Sequence, residues 1–223
     1  MRGDKIKAIQ LRREGKSYRV IEKILGIPRS TLTGWFQKMQ WSRKVKEKLS
    51  LIAQQQSRQR MKDLTDKINH ERRKVYAFTK KTAENQYHTL RREPLFISGL
   101  MIYWGEGDRK LENGMIRVCN TDPAMLKLFH CFVRKYLPEI SHLIKVYLVL
   151  YPDLNEKECK EYWSQNIEIP GEKFIKSTYI QGRSLTKKLE YGICTITISN
   201  RVYKEKINAW LHSIRSEVVN MRV

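Results

Sequence analysis

The residues best placed to do chemistry are Gly105-Glu106-Gly107-Asp108, two carboxylates among glycines, directly after the apolar run from Leu95 to Trp104. Opened by Pro94, that run reads as a buried helix, and the glycines put Glu106 at its exposed end. An acid there has two readings. It is a ligand for a divalent cation, which a carboxylate needs before it can approach phosphodiester oxygens of its own sign, or it is an exposed acid in a glycine turn. Asp108 reads as a second ligand or as a turn-stabilising residue. Asp122, followed by Pro123, reads as a helix cap. Cys119, Cys131, Cys159 and Cys194 lie 12, 28 and 35 positions apart among apolar neighbours. Neither they nor the five histidines have zinc-site spacing, so free buried thiols of a reducing compartment are expected.

Charge sets the partner class. The 223 residues include 44 Lys+Arg against 23 Asp+Glu, a formal net charge of +21, and the pI is near 9.9. A polyanion is the expected partner, and a neutral small-molecule enzyme is disfavoured. No apolar run approaches the roughly 20 residues of a membrane span, and no signal-peptide core follows Met1. A soluble, cytoplasmic protein is expected, nucleoid-associated if prokaryotic. The excess charge is uneven: residues 1–40 carry a net +7, residues 41–93 a net +9 and residues 94–223 a net +5. Three parts follow from this texture: an N-terminal domain, a basic connector and a less basic C-terminal domain with most of the aromatic and β-branched residues.

In residues 1–40, Ile6, Ile9 and Leu11 predict a first amphipathic helix stopping near Gly15. Ser17 predicts the cap of a second, with Val20, Ile21, Ile24 and Leu25 on one face and Gly26 at its end. Leu32, Trp35 and Phe36 place a third helix on the same core. Three short helices with a glycine turn make a helix-turn-helix. Residues 41–93 lack glycine, and proline is absent from Trp41 to Arg92, which predicts a continuous or twice-broken helix rather than flexible linker. Met61, Leu64, Ile68, Val75 and Phe78 keep a 3-4 spacing that Glu71 interrupts. A helical hairpin or a pair of helices packing on the C-terminal domain is expected over a coiled coil. Its function is either a basic arm along a phosphate backbone or a solvated spacer. From residue 94 the pattern predicts α-β-α-β-α-β-β-α, with strands over 115–119, 142–150, 173–180 and 191–199, an α+β sandwich.

The run Ser17 … Leu25-Gly26-Ile27 … Ser30-Thr31-Leu32 resembles the DNA-binding helix-turn-helix of resolvase-, transposase- and repressor-type proteins. The resemblance makes the third helix the reading helix, with Arg29, Ser30, Thr31, Thr33 and Gln37 available to bases or phosphates of double-stranded DNA. Glu22 departs from the small residue usual at the helix crossing, which implies looser packing there.

Ile97-Ser98-Gly99-Leu100, Gly105-Glu106-Gly107, Asn120-Thr121-Asp122-Pro123 and Tyr191-Gly192-Ile193-Cys194 together resemble the LAGLIDADG homing-endonuclease family over residues 94–217. Here seven positions separate Gly99 from Glu106, against five in the family motif, and Leu100 and Met101 fall where small residues normally let two motif helices meet. One motif per chain implies a homodimer in which each copy brings Glu106, with Asp108 as a weaker ligand, to shared Mg²⁺ or Mn²⁺ ions that promote phosphodiester hydrolysis. The resemblance also implies a basic residue near the centre, for which Lys187 and Lys188, with Arg183 behind them, are candidates. It places the outward strand faces on the major groove, with Arg117, Lys145, Tyr147, Lys173, Lys176 and Tyr179 as contributors. The implied activity is a sequence-specific DNA endonuclease. A non-cleaving transcriptional regulator on the same scaffold is the alternative, and binding to structured RNA a third.

Overall fold

A computed structural model describes residues 3–180 and 189–220. The chain divides into two compact units, Met1–Glu71 and Arg72–Val223, and the fold is mixed α and β.

The first unit opens with helices α1 (Gly3–Arg13), α2 (Tyr18–Leu25) and α3 (Arg29–Phe36). Ser17 caps α2 by accepting the Val20 N–H at 3.3 Å. Gly26 ends α2 at φ +67°, a left-handed backbone that favours glycine. Ala8, Ile21, Ile27, Leu32 and Phe36 form the core, with Leu25, Trp35 and Trp41 packed around it. The expected apolar face of α2 is only half used: Ile21 is fully buried, but Val20 is 39% and Ile24 56% exposed. Eight residues make barely two turns, and one such turn saturates so small a core. Glu22 contacts the start of α3. Its carboxylate accepts the Arg29 N–H and pairs with the Arg29 guanidinium at 2.9 Å, pinning the start of α3.

Helix α4 runs unbroken over Gln40–Leu90, so the expected hairpin or helix pair is replaced by one helix. No glycine or proline interrupts it, and Lys, Arg, Gln, Glu and Ala dominate its sequence. Met61, Leu64 and Ile68 in the first unit, and Val75 and Phe78 in the second, are all exposed. The 3-4 spacing therefore builds no core within the chain.

In the second unit, Ala83 and Tyr87 of α4 enter a core shared with α5 (Pro94–Glu106), α6 (Pro123–Tyr136), α8 (Glu156–Ile167) and α9 (Arg201–Asn220); a four-residue helix α7, Pro138–Ser141, follows α6. The helices pack on a four-stranded mixed sheet of β1 (Met115–Asn120), β2 (Lys145–Leu150), β3 (Thr178–Tyr179) and β4 (Ile193–Ser199), in the order β1-β4-β2-β3. β4 is antiparallel to β1 and β2, while β3 pairs parallel to β2. The strand expected over 173–180 is largely irregular: residues 171–173 form a 3-10 turn, Phe174 makes one bridge to Val146, and pairing resumes at Thr178. Period-two alternation sends Ile116, Val118, Val146, Leu148, Leu150, Cys194, Ile196 and Ile198 into the core.

Candidate nucleic-acid interface

The opposite sheet face is mixed, with a polar stretch of Arg117, Lys145, Tyr147, Thr195 and Thr197 among Met115, Cys119, Val149 and Ile193. Its register aligns Arg117 of β1 with Thr197 of β4 and Lys145 of β2, and, one pair along, Cys119 with Thr195 and Tyr147. Lys145 is exposed, and Arg117 and Tyr147 are half-buried. Between these longer side chains the Thr195 and Thr197 hydroxyls are buried with no hydrogen-bond partner among the described residues, and so is the Arg117 Nε. An orphaned buried hydroxyl costs about 1–3 kcal/mol. The two threonines were absent from the expected set, although the alternation Cys194-Thr195-Ile196-Thr197-Ile198 already separates them from the core face.

Arg117, Lys145 and Tyr147 therefore share one surface, as expected. Lys173, Lys176 and Tyr179 are placed differently. Lys173 sits in the 3-10 turn and donates to the His142 carbonyl at 2.9 Å. Lys176 is exposed in the irregular segment before β3. Tyr179 pairs in register with core-facing Leu150 and donates to Glu156 of α8, which puts it on the helix side of the sheet. Arg183, Lys187 and Lys188 lie outside the described residues.

The acidic turn borders this sheet. The Gly107 N–H closes α5 on the Tyr103 carbonyl, Gly107 bridges to Val118 of β1, and the Asp108 N–H donates to the Arg117 carbonyl at 3.0 Å. Glu106, the last residue of α5, is exposed and makes no hydrogen bond or ion pair among the described residues. Asp108 is different. Its carboxylate accepts the Lys110 N–H at 2.9 Å and the Asn113 amide at 2.6 Å, with Lys204 at 3.8 Å and Arg117 at 4.0 Å. Partial burial opposes ionisation of Asp108, but these donors and cations outweigh it and hold its pKa below the usual carboxylate value. Lys204, 0% exposed, also donates to the Lys110 carbonyl and to Asn113, tying the turn to α9. Nothing in the sequence signals it beyond one lysine in an amphipathic helix.

Asp108→Asn should cost about 1–3 kcal/mol, because it leaves the buried Lys204 ammonium without its carboxylate. A depressed folded-state pKa means this stabilisation is present above the unfolded value near 3.8 and lost as pH falls through the folded one. Urea melts between pH 7 and pH 2 should therefore show a flatter acid limb for the variant than for wild type.

Two further surfaces flank these. On α3, Arg29, Ser30, Thr33, Gly34 and Gln37 share an exposed face, while Thr31 points away from it and is half-buried. Thr33 donates its hydroxyl back to the Arg29 carbonyl. On α5, Phe96, Gly99, Leu100 and Tyr103 face the core. The opposite side carries Pro94, Ser98 and Gly105 beside exposed Trp104, while half-buried Ile97, Met101 and Ile102 at its edges also pack against the core. Beyond its own helix, nothing among the described residues lies within 4 Å of where a Gly105 side chain would start.

Among the described residues no three His, Cys, Asp or Glu side chains are grouped to hold a metal ion, and no helix is long and apolar enough to cross a membrane. The chain matches no family model, no curated protein and no solved structure.

Proposed function

We propose that this protein is a sequence-specific double-stranded DNA endonuclease that acts as a homodimer, in line with the LAGLIDADG resemblance. The observation that carries the reading is the polar stretch of that sheet face, where Arg117 and Lys145 flank two unsatisfied threonine hydroxyls beside the free carboxylate of Glu106. Cations with short donors between them suit phosphate oxygens and major-groove base edges. The exposed face of α3, read as the recognition helix of a helix-turn-helix, supplies a second contact.

The dimer brings two copies of α5 together through Ser98, Met101 and Gly105, small or flexible side chains with apolar flanks. One Glu106 per chain then reaches the shared centre. A single free carboxylate is a poor cage for a hard cation. Two of them, with phosphate oxygens and water, suit Mg²⁺, which usually takes one or two carboxylates and keeps part of its water shell. When bound, the ion would lower the pKa of water and stabilise the departing oxygen. Asp108 stays with its own partners and acts as a positioning residue, holding the turn so that Glu106 projects from the end of α5.

A second reading, a DNA-binding regulator that does not cut, is favoured by the engagement of Asp108, which leaves Glu106 as the free acid of this turn. Wild-type protein incubated with a randomised duplex library, in Mg²⁺ and in EDTA, separates the readings by sequencing bound molecules and new ends. An enriched motif with defined, Mg²⁺-dependent ends is expected. Enrichment without new ends would replace the endonuclease by the regulator, and no enrichment would overturn DNA recognition altogether.

A further inference from the structure

Within the first unit, the C-terminal end of α3 and the first turns of α4 border an open cleft of about 1190 Å³. Arg12, Tyr18 and Ser42 line its inner part. Arg12 is only 2% exposed, yet every acceptor it meets is neutral. Its Nε donates to the Ser42 hydroxyl at 3.1 Å, Nη2 to the Ser42 carbonyl at 3.0 Å and Nη1 to the Lys16 carbonyl at 2.9 Å, and its guanidinium lies 4.5 Å from the Tyr18 ring centroid. Burial lowers its pKa, but an arginine keeps its proton. The cleft thus contains a fixed buried cation with no carboxylate against it among the described residues.

Its rim adds more positive charge. Arg43 of α4 donates Nε to the Gln37 carbonyl at the end of α3, 3.1 Å, which joins the two helices and leaves both Nη groups without a partner among the described residues. Lys46 follows one turn later. Glu47 is the single acid in the lining, so the three cations leave a net positive cleft. Thr33 and Gln37 also line it, making it continuous with the exposed face of α3.

We propose that this cleft seats phosphodiester groups of a bound duplex, with Arg43 and Lys46 contacting the phosphates and Arg12 supplying a fixed positive field beneath them. The first turns of α4 are then part of the binding surface rather than a spacer. The inference rests on the DNA-binding reading above. A nucleic-acid backbone is favoured over a free anion because the cleft is open and runs from Thr33 to Gln56, far longer than one phosphate, and because it continues the surface of α3.

The test measures binding of the full chain to a random-sequence duplex by fluorescence anisotropy across a salt series. Each lost phosphate contact lowers the slope of log K against log[salt] by about 0.9. Arg43→Gln/Lys46→Gln should therefore flatten the slope by about 1.8, and Arg43→Lys/Lys46→Gln by only about half of that. Arg58→Gln/Lys62→Gln, farther along α4, should leave the slope within about 0.5 of wild type. An unchanged slope in the first pair, or equal flattening in both, would overturn the cleft as the phosphate site. Inorganic phosphate is added in a separate arm, read from the Nε–H signals of Arg12 and Arg43 by NMR. If these signals move while wild type binds no duplex, the cleft is a small-anion site and the DNA assignment falls. No movement and no duplex binding overturn both this proposal and the DNA-binding reading.

Discussion

Replacing Gly99 by alanine should destabilise the second unit by about 3 kcal/mol or more, at or beyond the upper end of what overpacking usually costs. A Cβ at Gly99 would stand 2.2 Å from Cγ of Phe132, 2.3 Å from its Cδ2 and 2.5 Å from its Cβ. Phe132 cannot step aside: its ring lies 5.9 Å from Phe129, 5.5 Å from Tyr136, 6.1 Å from Phe96 and 6.3 Å from Trp210. Against this, alanine gains only about 1 kcal/mol of helix propensity over glycine. For a unit of this size each kcal/mol moves the melting temperature by about 2–4 °C, so a fall of about 6–12 °C is expected. The clash is specific to one ring. Phe132→Leu is costly alone, but the double variant should be more stable than the two single losses predict, by about 0.5–3 kcal/mol of coupling. Strict additivity would show that Gly99 fails for some other reason, such as backbone geometry.

Gly99 also shows where sequence reading stops. A glycine in an apolar helix invites a close approach, and one is present, to Phe132 of α6. Nothing local in the sequence ties position 99 to position 132, because that contact depends on how α5 crosses α6. Features that depend on neighbours in sequence are legible: the Ser17 cap, the Gly26 turn and the Asp122 cap, whose carboxylate accepts the Ala124 N–H. The sheet face is legible for the same reason, since period-two alternation alone separates Arg117 and Lys145 from Ile116 and Val146. Strand pairing is not. Residues 173–180 look extended, yet their edge pairs with β2 only at Phe174 and again from Thr178. The buried cations are the least legible. Arg12 sits on a helix whose other charged residues are mostly exposed and Lys204 on one whose others are mostly half-buried, and only the fold reveals that backbone carbonyls and Asp108 receive them.

Glu106→Gln should abolish cutting, by at least about 10³-fold, while leaving the fold, the dimer and DNA affinity nearly intact. Glutamine keeps the shape and the exposed position at the end of α5, and no partner among the described residues is lost. It removes the negative charge needed to hold a hard divalent ion. The companion variant is Gly105→Leu. A Cβ there meets nothing within 4 Å among the described residues, and leucine is a better helix former than glycine by nearly 1 kcal/mol, so the monomer should be no less stable than wild type. If two α5 helices approach through this face, however, the added bulk separates them. Sedimentation should then show the dimer dissociating at least tenfold more readily, with cutting lost alongside it. The pair distinguishes two ways of losing activity. The Glu106→Gln protein forms dimers that bind but do not cut, whereas the Gly105→Leu protein stays as well-folded monomers that no longer bring two carboxylates together. A Gly105→Leu protein that still dimerises and cuts would remove α5 from the dimer interface. A Glu106→Gln protein that still cuts would move the metal site away from this turn.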